Sequence, residues 1–77
     1  MSNVVLLRQL PQREPRRVHV WRHETFFEVI HESASGDSFA PIEHYSLDRR
    51  EEAVGCALAW VRDNPGVILG DVAPAVL

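Results

Sequence analysis

Alternation is the first regular pattern in the chain. In Arg17–Arg22, Arg-Val-His-Val-Trp-Arg, Val18 and Val20 are set apart from His19 and Trp21 with a period of two, which predicts a strand. Residues 25–32, Thr-Phe-Phe-Glu-Val-Ile-His-Glu, predict a second strand. The connection at His23-Glu24 is short, so the two predict an antiparallel hairpin, although the Asn-Gly or Asp-Gly turn signal is missing. A two-residue turn there pairs Trp21 with Phe26, His19 with Glu28, Val20 with Phe27 and Val18 with Val29. Val18, Val20, Phe27 and Val29 then share one face, the face expected beneath a helix. His19, Trp21, Phe26, Glu28, Ile30 and Glu32 share the other.

Residues 33–38, Ser-Ala-Ser-Gly-Asp-Ser, predict a loop, and residues 39–45 a third strand. Pro41 cannot donate to a ladder, which places that strand at a sheet edge. The period then lengthens. Asp48-Arg49-Arg50-Glu51 has the form of a capping box, and the helix it opens is expected from Arg49 to Asp63, ended by Pro65 and Gly66. Ala53, Ala57, Trp60 and Val61, flanked by Val54 and Leu58, give it an apolar face, and Gly55 and Ala59 are small enough for close packing. Val67-Ile68-Leu69 is a candidate fourth strand, with a turn at Gly70-Asp71.

The fold class is α+β: a small antiparallel three- to four-stranded β-meander with one α-helix packed on one face. At 77 residues the chain is expected to form a single domain. It divides into an apolar start and Pro/Arg arm (1–16), a βββα core (17–66) and a C-terminal strand or tail (67–77). A chain this short buries only about 60% of its unfolded surface, so a thin core and no deep substrate cleft are expected.

Charge is unevenly placed. The net charge is −3, and all eight basic residues are arginine. Five of them (Arg8, Arg13, Arg16, Arg17 and Arg22) stand in residues 1–23 against Glu14 alone, while residues 24–77 carry three arginines against ten acids. This is a basic arm on an acidic body, free to pair with that body or with a partner. The single cysteine, Cys56, excludes an internal disulfide and any Cys-Cys zinc pattern, and with no signal-like start it points to a cytoplasmic setting. No stretch approaches the length of a bilayer span.

Candidate chemistry is sparse. His19, His23, His31 and His44 match no zinc spacing, and His31 falls on the face opposite His19, so no metal or other cofactor is expected. Glu28 and Glu43 could oppose each other as paired carboxylates, but nothing suggests a cleft to hold a substrate between them. Cys56 lies two turns into the helix, where a small core residue is expected and an activated nucleophile is not. No catalytic residue is assigned.

Three strands, including Phe26–Ile30, precede a helix that opens on Arg49 and Arg50 and continues through Ala53 and Ala57. Over about 45 residues this resembles in outline the C-terminal part of the double-stranded-RNA-binding domain and the arm-binding domain of phage-type integrases. The resemblance implies a nucleic-acid-binding βββα domain, served by Arg13, Arg16, Arg17, Arg22, Arg49 and Arg50. The chain departs from it where Pro11 and Pro15 replace the leading helix of the RNA-binding family. Glu51 and Glu52 also follow the helix-start arginines directly, and the acidic body would repel phosphates.

The expectation is therefore a non-enzymatic protein-binding module, of the kind a small phage or mobile-element accessory protein would use to bind and block a host complex. Trp21, Phe26, Glu28, Ile30, Glu32 and Glu43 are its expected partner-binding residues, because apolar groups ringed by carboxylates on an uncovered sheet face suit a protein interface. A homodimer through the same face would also cover it, as would residues 1–10 or 67–77 folding back. Direct nucleic-acid binding is the alternative.

Overall fold

The computed structural model describes residues 15–74. Strands β1 (Arg16–Arg22), β2 (Phe26–Glu32) and β3 (Phe39–Ser46) form an antiparallel meander. A 3₁₀ turn over Leu47–Arg49 leads into helix α1 (Arg50–Asp63), and strand β4 (Val67–Val72) follows. The sheet order is β3-β2-β1-β4, with β4 parallel to β1. The fold is thus α+β with a mostly antiparallel sheet. The fourth strand does not extend the meander; α1 carries the chain across the sheet and returns it beside β1, as a parallel pair requires.

The hairpin register differs from the expected one by two. Trp21 pairs with Glu28, His19 with Ile30, Val20 with Val29 and Val18 with His31. The reason is a longer loop, His23–Thr25, in which the His23 N–H donates to the Phe26 carbonyl at 2.8 Å. A shift of two leaves every side chain on its expected face, because the side-chain period is also two.

Val18, Val20, Phe27 and Val29 are fully buried under α1, where Ala53 and Ala57 meet them, and Val67 completes the core. The small side chains of Ala53 and Ala57 let the helix lie close. Gly55 does not serve that purpose: it is exposed, with nothing near its Cα on the side where a Cβ would project. Leu58 is also exposed, so the apolar stripe is narrower than expected. The capping box does not form. The Asp48 carboxylate accepts from the Ser46 hydroxyl at 2.6 Å, and the chain enters the helix through the 3₁₀ turn instead. The helix ends where the Asn64 amide donates to the Trp60 carbonyl and Gly66 takes a positive φ of 92°.

β3 is an edge strand, as Pro41 requires. Its register against β2 shifts between Glu43, opposite Val29, and Pro41, opposite Ile30. This bulge inserts one residue and reverses the alternation along the strand. Tyr45 therefore stands with Phe27 and Ile42 packs against the core, while Pro41 and Phe39 stand with Ile30 and Glu32 on the other face.

Candidate functional site: the sheet face away from the helix

Three strands supply this face in rows set by the register. Trp21, Glu28 and His44 form one row; His19, Ile30 and Pro41 the next; Arg17, Glu32 and Phe39 the third. β4 adds Ile68 beside Arg17. The rings lie against one another. His19 stacks on Trp21 at 5.2 Å between centroids, and Trp21 meets Phe39 at 5.4 Å. Ile30 stands on β2 between the strands that carry that last pair, and it is only 6% exposed although no described element covers it. Phe39 is 47% exposed.

His19 is likewise buried, at 5% exposure. Its Nδ1 accepts the Asp71 N–H at 2.8 Å, so Nε2 carries the proton and donates to Glu32 Oε1 at 2.7 Å. One imidazole thereby ties β4 to β2 across β1. The expected turn at Gly70-Asp71 is absent, because both residues lie within β4. Gly70 is needed there for a different reason: a Cβ would stand 2.5 Å from His19 Nδ1.

A second group lies near the β1–β2 loop. His23 Nε2 donates to Glu28 Oε1 at 2.8 Å, and His44 Nε2 stands 3.6 Å from Glu28 Oε2. Phe26 stacks on His23 at 4.6 Å and meets His44 at 4.9 Å.

Five of the six expected partner-binding residues, Trp21, Phe26, Glu28, Ile30 and Glu32, share this face. Ile30 is its floor and offers a partner no direct contact. Glu43 belongs elsewhere, opposite Val29 beside the bulge, so Glu28 and Glu43 are not a facing pair. Glu28 stands across from His44, and His19 bonds to Glu32 in place of the expected Glu28. Phe39, His23 and His44 also belong to the face, although none is among the expected partner-binding residues. Strict alternation along β3 groups Phe39 with Glu43, and only the bulge separates them.

Of the arginines expected to serve nucleic acid, those among the described residues are divided between β1 and the start of α1. Arg16 and Arg22 stand at opposite ends of β1, about 20 Å apart at strand rise. Arg17 is in the Glu32 row. Arg49 pairs with Glu52 and lies over the Tyr45 ring, and Arg50 donates to the Ala73 carbonyl at 3.0 Å. Arg13 lies outside the described residues, as do residues 1–10, one of the two segments expected to cover this face. The other, residues 67–77, is described as far as Pro74, and its strand β4 lies beside β1.

Chemistry elsewhere is structural. Cys56 is half-buried against the core, and its hydrogen bond with Tyr45 raises the phenol above its ordinary pKa, with burial adding to the effect. A hollow of about 420 Å³ is lined only by the consecutive residues Leu47–Glu52, which makes it the flank of one turn and not a cleft. Among the described residues no cluster of His, Cys, Asp or Glu could hold a metal ion, and no helix is long and apolar enough to cross a membrane. No protein-family model, curated protein or solved structure matches the chain.

Proposed function

We propose that the chain is a non-enzymatic protein-binding module that docks through the sheet face opposite its helix. The observation that supports this reading is the ring-paved face itself. Trp21 meets Phe39 across the strand that carries the buried Ile30, Phe26 touches both His23 and His44, and the carboxylates of Glu28 and Glu32 are set among them. Aromatic anchors with a few placed polar groups are what protein interfaces use for affinity. The acidic body suits a target with a basic surface, such as the nucleic-acid channel of a host complex that a phage or mobile-element protein would block. Glu24, Glu28 and Glu32 would then speed association more than tighten it.

The test is a photo-crosslinking amino acid at position 39, compared with the same residue at position 58 on the exposed side of α1, in nuclease-treated lysate. The expected result is a discrete protein adduct from position 39 only. Equal adducts from both positions, or adducts to nucleic acid in untreated lysate that vanish with nuclease, would overturn the reading.

A further inference from the structure

The Glu28 group differs from the rest of the face in one respect: its carboxylate is walled by rings on more than one side. Glu28 is 14% exposed, while His23 and His44 beside it are 39% and 58% exposed, so their ring faces remain reachable. His23 satisfies Oε1. His44 Nε2, at 3.6 Å, is too far from Oε2 for a formed bond, and that oxygen keeps acceptor capacity. Phe26 is in contact with both imidazoles, which joins the three rings into one cluster beside the carboxylate.

We propose that this group is a socket for an arginine side chain carried by the protein partner, a proposal that rests on the protein-binding reading above. Charge complementarity argues for a cation. A carboxylate drawn partly out of water among π faces gains more from a positive group than an exposed one does. The described residues carry ten acids against six arginines, so the surrounding field also favours cations. Planarity argues for guanidinium over ammonium. A guanidinium can lie flat on the His44 or Phe26 ring while an N–H reaches Glu28 Oε2, which a compact ammonium cannot do at once. The chain's own Arg22 does not fill the place, since it pairs with Phe27 on the helix side.

The probe is the tripeptide acetyl-Gly-Arg-Gly-amide, titrated into the whole 77-residue chain at pH 8 and low salt and followed by ¹H–¹⁵N and ¹H–¹³C NMR. Acetyl-Gly-Lys-Gly-amide is the control. The arginine peptide is expected to give saturable shifts confined to His23, Phe26, Glu28 and His44. The lysine peptide should bind about fivefold more weakly, the scale of one exposed cation–π contact. Glu28→Gln should abolish the shifts while keeping the native spectrum. His44→Ala, at an exposed position, should weaken them even if Glu28→Gln proves unstable. Absence of saturable shifts, equal binding of both peptides, or shifts that persist in folded Glu28→Gln would overturn the socket. Those results leave the crosslinking outcome at position 39 untouched, so failure of the socket and failure of the docking face are read separately.

Discussion

The two faces of this sheet are closed in different ways. On one, Val18, Val20, Phe27 and Val29 are buried because a helix of small side chains lies over them. On the other, Ile30 and His19 are buried as well, at 6% and 5% exposure, with no helix above them among the described residues. There the neighbours are side chains of the same sheet: Trp21 meets Phe39 across the strand that carries Ile30, and Trp21, Glu32 and the Gly70-Asp71 backbone surround His19. The first face excludes water mainly by area and shape, with His31 against Trp60 and the Cys56–Tyr45 hydrogen bond beside the aliphatic core. The second does so with rings and matched polar atoms, and among the described residues nothing lies over the outer surfaces of those rings. Among the described residues, then, this face is buried without a second layer.

The largest expected effect tests that contrast directly. Phe27→Ala removes the largest fully buried side chain and should cost about 3–5 kcal/mol. A domain of this length rarely holds more than about 3–5 kcal/mol in all, so the variant should be largely unfolded. Phe39→Ala trims a half-exposed ring and should cost about 1 kcal/mol. Urea melts of the two variants check this. Comparable losses would mean that the outer rings are core in all but position, and the docking face would lose its argument.

Gly70→Ala probes the polar side of the same comparison. The added methyl must displace the His19 ring, at about 1–3 kcal/mol for a forced rearrangement in a packed site. The Asp71 amide should lose hydrogen-exchange protection at the same time, since His19 Nδ1 is its acceptor. With the ring removed there is nothing left to displace. Gly70→Ala in a His19→Ala background should therefore add almost nothing, a coupling that a double-mutant cycle measures. Additive losses would show that Gly70 is needed for its backbone and not for the imidazole.

How far the sequence reaches follows from where its period stays intact. The core quartet was legible because an error of two in the hairpin register returns each side chain to its own face. Trp21, Phe26, Glu28, Ile30 and Glu32 were legible for the same reason. Glu43 was not, because the extra residue at Ile42-Glu43 reverses the alternation, with only the adjacent Pro41 as a local hint of a bulge. The His19 arrangement was hidden further still. It depends on β4 lying parallel to β1, a contact between residues more than 50 positions apart, and Gly70-Asp71 reads locally as a turn. Asp48 had the chemistry of a helix cap, and the nearby Ser46 hydroxyl claimed it.

That last competition gives the smallest effect, at the junction outside both faces. The Ser46 hydroxyl holds the Asp48 carboxyl below its ordinary pKa. A carboxylate with a lowered folded-state pKa adds stability that is complete above the unfolded value, near 3.9 for aspartate, and is lost as pH falls through the folded value. Glu52 and Asp63 are lowered in the same way by Arg49 and Arg62, so the acid sensitivity of the wild type alone assigns nothing to Asp48. Ser46→Ala isolates it, because the other two pairs remain in both proteins. The wild-type urea midpoint should exceed that of Ser46→Ala at pH 7, and the gap should narrow as pH falls from about 4 toward 2. Asp48 is fully solvent-exposed, which keeps the gap small. A gap that is constant with pH would mean that Ser46 acts through the neutral geometry of the turn, and one that widens in acid would contradict the sign of the linkage.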